Sequence, residues 1–228
     1  MGWWVMSSDT IWLAIKLDGP FQSWGYDSQY NRRNTGLFPT KSAMAGICCA
    51  ALGYSRGSEK EREFLGFFRN IKMTAIAIPR VVNKKELVLR RLEDYHTVQN
   101  TRTAKGDIKD CHITRRQYLT DSSFGVLLEG EAEIIKKISN ALENPHWGVW
   151  LGRKACIPTA PILAGINENK EETVKLLIGD KPLRSFAIQE EASEFSAGDD
   201  SLPDSPDSFA IERRLFSPRR VKTKQGSG

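Results

Sequence analysis

The stretch from Gly19 to Leu52 constrains this chain more than any other part of it. An alternating apolar run, Ile11 to Leu17, leads into the glycine-bounded loop Gly19-Pro-Phe-Gln-Ser-Trp-Gly25. Arg33, Pro39, Thr40, Lys41 and Ser42 then open a helix of small residues. Strand, glycine loop and helix start in that order present free backbone N–H groups and the positive end of a helix dipole, a common way to hold phosphate. Thr40 is the expected N-cap and Gly53 the stop, with Ala43, Met44, Ile47, Cys48, Ala51 and Leu52 on the buried stripe. The implied ligand is nucleic acid.

Charge is distributed in blocks. The whole chain has 228 residues and a formal net charge of +5. Arg80 to Tyr118 carries ten Lys or Arg against five acids, whereas Gln189 to Asp207 has seven acids and no base. Such segregation is informative about partners where a modest total is not. Four cysteines (Cys48, Cys49, Cys111, Cys156) show no CxxC pair and read as free thiols, so neither a zinc site nor a disulfide scaffold is expected. No metal or cofactor is expected. No apolar stretch approaches the ~20 residues of a membrane span, and Met1 to Thr10 lacks the pattern of a signal peptide. A cytoplasmic protein is therefore expected. Met6 reads as a possible natural start, and Gly226 to Gly228 as an appended tail.

The periodicities give an order of elements. A strand over Ile11–Leu17 and the helix over Thr40–Leu52 precede a charged helix over Glu59–Asn70 and a second strand over Lys72–Pro79. A third strand over Ser122–Glu129, a helix over Glu131–Glu143 with Ile134, Ile135, Ile138 and Leu142 buried, and a fourth strand within Cys156–Ala164 follow. This predicts an α+β fold with a ferredoxin-like βαββαβ core, residues 1–165. The basic insertion, residues 81–119, is too long for an ordinary connection and is expected to project as a hairpin-like arm. Residues 166–228 read as a small β-rich extension: a helix at Glu171–Ile178, strands at Leu183–Ile188 and Phe209–Phe216, and a mobile acidic loop over 189–207.

Six short motifs together carry a family resemblance. They are Leu17-Asp-Gly-Pro-Phe-Gln-Ser-Trp-Gly25, Arg33-Asn-Thr-Gly36, Pro39-Thr-Lys-Ser42, Asp94-Tyr-His-Thr-Val98, Arg116 to Phe124, and Leu151-Gly-Arg-Lys-Ala-Cys156. In this order they resemble the CasD family, the fifth Cas protein family, of the RAMP class. The resemblance implies an RRM-like ferredoxin core with a projecting thumb, in a subunit of a type I-E CRISPR Cascade. It implies a subunit that grips the CRISPR RNA 5′ handle, packs against the backbone and large subunits, and meets target DNA only through the complex. Type I-E relatives are regarded as non-catalytic, whereas type I-C relatives process the RNA themselves.

Candidate RNA contacts follow. In the first loop, Gln22 and Ser23 offer hydrogen bonds, Trp24 a stacking surface and Gly25 close approach, although a plain turn with Trp24 in the core fits the composition as well. Arg33, Lys41 and Ser42 flank the helix start, where a solvated lysine is the alternative. Gly152, Arg153 and Lys154 resemble the glycine loop that RAMP proteins bring to the RNA backbone. The arm offers a basic track of Arg90, Arg91, Arg102, Lys105, Lys109, Arg115 and Arg116, interleaved with Tyr95, His96 and Tyr118. A metal-free ribonuclease needs a base, an acid and a cation, parts for which Tyr95 and His96 beside an Arg or Lys are the candidates. A generic single-stranded RNA module is the third alternative.

Overall fold

The structure is a computed structural model and describes residues 10–25, 27–28, 31–103 and 106–226. The possible start at Met6 and the arm's Lys105 lie outside the described residues, as does the Lys109 side chain.

Strand β1 (Thr10–Gln22) enters the core and leads past the two-residue strand β2 (Arg32–Arg33) to helix α1 (Lys41–Leu52) and helix α2 (Glu59–Phe68). Next come β3 (Lys72–Ala77), the small hairpin of β4 (Val81–Val82) and β5 (Lys85–Glu86), and the long strands β6 (Arg90–Arg102) and β7 (Ile108–Glu131). Helix α3 (Ala132–Glu143), β8 (Leu163–Asn167) and α4 (Lys170–Ile178) follow. Strands β9 (Ala187–Glu191), β10 (Asp200–Ser208) and β11 (Leu215–Lys224) end the chain.

One sheet runs in the order β10-β11-β9-β3-β7-β1-β8, with β6 and β2 attached to β7. All these pairings are antiparallel except that of β2 with β7. The alternation in β1 works as read: Ile11, Leu13, Ile15 and Leu17 pack in the main core with Met44, Ile47 and Cys48 of α1 and with Ile135 and Ile138 of α3. The opposite face is also covered, because Ala14, Ile76 and Leu127 pack against Val174, Leu177 and Ile178 of α4. The sheet is sandwiched between helices there.

Helix α1 starts and stops where its sequence dictates. Thr40 accepts a hydrogen bond from the Ala43 amide (3.3 Å), and Gly53 adopts a left-handed φ of 71°. Helix α2 uses Ser58 as N-cap, while Glu61 reaches back to the Gly57 amide (2.9 Å), a variant of the reciprocal capping box.

Three expectations change. The third strand starts 14 residues earlier than read, because β7 runs unbroken from the arm into the core. The fourth strand lies at Leu163–Asn167, after rather than around Cys156. The acidic segment over 189–207 is not a loop: it contributes to β9 and β10, and the turn falls at residues 209–214 instead.

Its acids are partnered by cations distant in sequence. Glu191 accepts from the Lys41 ammonium (2.9 Å), and Asp204 receives both Arg219 Nε (2.7 Å) and Nη2 (3.0 Å). Asp204 also accepts from the Lys41 backbone amide (2.8 Å), so the first N–H of α1 is capped by a carboxylate of the same chain. Lys41, Asp204 and Arg219 are all buried. Removing one member of such a set leaves an uncompensated interior charge, which costs about 3–5 kcal/mol. Asp204→Ala is therefore expected to lower the urea-denaturation midpoint by a free-energy loss in that range, and an unchanged midpoint would contradict this role.

Candidate functional site

A groove of about 750 Å³ opens between α1, the loop over residues 147–154 and the turn joining β10 to β11. Its construction begins at the end of α1. The His146 and Trp147 amides donate to the Ala51 and Ala50 carbonyls (2.9 and 3.1 Å), satisfying acceptors that a helix end leaves open and fixing where Trp147 emerges. The loop then turns back on itself, with the Leu151 amide on the Cys156 carbonyl and the Cys156 amide on the Arg153 carbonyl, both at 2.8 Å.

Glycine is required at position 152. Its φ is +91°, and an added Cβ would lie 1.8 Å from the Ser23 carbonyl oxygen. The Ser23 amide donates to the Leu151 carbonyl (3.0 Å), so the two glycine-containing loops are laid directly against one another. Close approach was expected at this glycine for the sake of RNA; the structure uses it for the chain's own backbone.

Ser23, Gly25, Arg33, Ser42, Gly152, Arg153 and Lys154 all line the groove. Arg33 and Lys154 are exposed. Arg153 is half-buried, lies 4.6 Å from the centre of the Tyr118 ring, and donates from Nη2 to the Arg33 carbonyl (2.8 Å). Its Nη1 is buried without a hydrogen-bond partner among the described residues. The helix wall is formed by Ser42, Ala43, Gly46 and Ala50, and nothing lies within 4 Å of a Cβ built on Gly46.

Three expected contacts are instead interior. Trp24 is fully buried, its indole N–H donating to Gln22 (3.2 Å), and the buried Gln22 amide donates to the Leu17 and Ser122 carbonyls (3.0 and 2.8 Å). These two side chains tie β1 to β7 and present no surface for a base or phosphate. Lys41 is 1% exposed, and its ammonium donates to Glu191 and to the Arg69 carbonyl (3.0 Å). Burial lowers its pKa and Glu191 opposes that shift. The anion next to this lysine is the Glu191 carboxylate of β9.

The arm residues lie elsewhere. Tyr95 pairs with Arg115 and His96 with Thr114 in the β6–β7 ladder, and β2 sets Arg32 and Arg33 beside Arg115 and Arg116. Neighbouring residues in a strand point to opposite faces. Tyr95 is 61% exposed on one face, while His96 sits on the other with its Nδ1 3.6 Å from Asp94. Arg116 donates to Thr114 (3.1 Å), and Arg115 lies 3.7 Å from Glu93.

The sequence reading missed the aromatic side of the groove: Trp147, Trp150, Phe209 and Phe216, with Arg56 and Arg214 nearby. Two tryptophans within five residues of the helix-ending Pro145 were the available signal. Among the described residues the one acid of the lining is Glu61, which is fully buried. Burial also pushes Cys49 on the helix wall up to about 12, so this thiol stays protonated at neutral pH. Among the described residues no cluster of His, Cys, Asp or Glu is arranged to hold a metal, and no helix is long and apolar enough to cross a membrane.

A cationic cleft with exposed rings and, among the described residues, no accessible acid is chemically suited to a polyanion that carries planar groups. Comparison with known proteins gives the family of the chain. The family model described as CRISPR-associated protein (Cas_Cas5) matches residues 12–222, and the chain belongs to this family. It is similar to the CRISPR system Cascade subunit CasD of Escherichia coli (strain K12), 28% identical over 209 residues, covering 87% of this chain and 92% of that one. Among solved structures, a chain of a CRISPR RNA-guided surveillance complex superposes with a TM-score of 0.74 at 26% identity, covering 93% of this chain and 88% of that one. A Cas protein crystal structure gives 0.64 at 28% identity, with 93% of each chain covered.

Gly152→Ala tests the loop junction. Both the positive φ and the 1.8 Å approach oppose a side chain, so the thermal midpoint is expected to fall by several degrees. An unchanged midpoint would contradict the contact with Ser23.

Proposed function

We propose that this chain is a non-catalytic RNA-binding and assembly subunit of a type I-E-like Cascade, capping the 5′ handle of the CRISPR RNA and contacting the backbone and large subunits in antiviral defence. Family membership and the similarity to a Cascade subunit support the setting. One observation carries the RNA reading: Ser23, Gly25, Arg33, Ser42, Gly152, Arg153 and Lys154, more than a hundred residues apart at the extremes, converge on a single groove. Phosphates would meet Arg33, Arg153 and Lys154 there, and target DNA would be met only through the assembled complex, in the cytoplasm.

The strand order β3-β7-β1-β8, with α1 following β1 and α3 following β7, supports a ferredoxin-like core of the RAMP type. In this reading the β6–β7 hairpin, together with the small β4–β5 hairpin, is the thumb. Val81, Val82, Leu87, Val88, Leu89 and Leu92 are exposed along it, an apolar strip that a neighbouring subunit would cover. Its basic residues, Arg115 and Arg116 included, would face the RNA where it passes between subunits, and Tyr95 and His96 belong to this secondary surface.

The ribonuclease alternative is weakened by strand geometry. Tyr95 and His96 are consecutive residues of β6, so they cannot act as acid and base at the same phosphate without breaking the strand. Lys154 is exposed on the groove rim, and Lys154→Glu is expected to weaken binding of handle-bearing RNA. The slope of log affinity against log salt should become shallower by about 0.7, the share of one phosphate that is no longer neutralised. Unchanged affinity and slope would overturn the assignment. Repeat RNA incubated with the protein in EDTA is expected to stay intact; cleavage that His96→Ala abolishes would establish the enzyme instead.

A further inference from the structure

We propose that the Trp147–Trp150 segment and the β10–β11 turn act as two jaws that stack unpaired RNA bases, so that the groove selects single-stranded over duplex RNA. This rests on the reading of the groove as an RNA site and assigns the part of it that phosphate contacts leave unexplained.

In the main core Trp24, Phe64, Phe68 and Phe124 are each 3% exposed or less, and Phe21 and Phe67 are exposed singly outside the groove lining. Trp147, Trp150 and Phe216 are 43%, 38% and 42% exposed, and all three face the same concavity. Three rings from two distant segments left uncovered in one cleft are not accounted for by packing. Each is held in place. Trp147 follows from the backbone bonds that close α1 and rests against His146, with ring centres 5.4 Å apart. The Trp150 ring lies over Gly148, where a Cβ would come within 2.9 Å of it. Phe216 packs on Phe209 at 6.2 Å and sits opposite Pro206 in the β10–β11 ladder. Prepositioned rings lose little freedom when a base lies on them.

The surroundings select the ligand. Arg33, Arg56, Arg153, Lys154 and Arg214 line the groove together with the rings, and among the described residues the one acid in the lining is buried. Charge complementarity therefore favours a polyanion with planar, π-bearing groups over an apolar peptide. Base faces are available for such contacts in single strands and are hidden in a duplex. The β10–β11 hairpin supplying Phe216 and Arg214 belongs to the C-terminal extension, which is locked to α1 by the Lys41–Glu191 and Asp204–Arg219 contacts and by the Lys41 amide on Asp204. The extension is in this view an RNA-gripping element rather than an appendage.

The test uses the full chain and three probes: a short oligoribonucleotide of handle sequence, the same strand annealed to its complement, and the same strand carrying abasic positions. The intact strand is expected to bind tightest and to quench tryptophan emission. Trp147→Ala and Phe216→Ala should each weaken it about 5- to 150-fold, the span implied by removing one base–aromatic stack, with the salt slope unchanged. Trp147→Phe should recover most of the affinity. The abasic strand should bind the unsubstituted protein as weakly as the intact strand binds Trp147→Ala, and this arm needs no variant that might misfold. Salt-sensitive binding that is equal for intact and abasic strands, or equal for single strand and duplex, would overturn the stacking jaws while leaving the phosphate contacts standing. No binding of any of the three RNAs would overturn both.

Discussion

The contact on which the rest of the molecule depends is the one between Asp204 and the first turn of α1. A carboxylate from β10 accepts the Lys41 amide and a two-pronged Arg219 guanidinium, and the Lys41 side chain runs beneath to Glu191 on β9. Isolated charges at this depth would be prohibitive, and they are tolerable here because every one faces an opposite partner. The arrangement joins the start of the first helix to strands some 150 residues later in the chain. It also ends one possibility, since the positive end of α1 is already occupied by a carboxylate of the protein.

Once the extension is held against α1, the groove follows. Its floor is the small-residue face of α1, one wall is the loop that closes the helix and bends at Gly152, and the other is the turn that β10 and β11 carry. No single segment makes it. The sheet supplies rigidity by passing from β10 through β3 and β7 to β8 without a break, and β7 alone extends from the core into the arm. Groove and arm are therefore fixed relative to the same strand.

Parts of this were legible in the sequence because they are local. Thr40 and Gly53 bound α1 through capping chemistry that involves a few residues on either side, and the alternation in Ile11–Leu17 gave the core face of β1. The loop motifs, taken with the family resemblance, named seven residues that the fold does bring together. What stayed hidden was non-local. The acidic segment looks like a loop because its acids have no nearby cation, yet Glu190, Glu191, Asp204 and Asp207 meet Lys224, Lys41, Arg219 and Arg69 once folded. Trp24 and Gln22 read as ligand groups because nothing local says that the loop folds inward onto β7. The groove's exposed aromatics escaped notice because Trp147 and Phe216 are 69 positions apart and meet only through the tertiary fold.

If the groove receives the leading end of a single-stranded CRISPR RNA, the contact must be found at that location. Photocrosslinking addresses it directly: handle RNA carrying 4-thiouridine is bound to the protein in its assembled complex, irradiated, and the adducts are located by mass spectrometry. The account predicts adducts within residues 147–154 and 209–216. Adducts confined to the opposite side of the sheet, on α4, would contradict it.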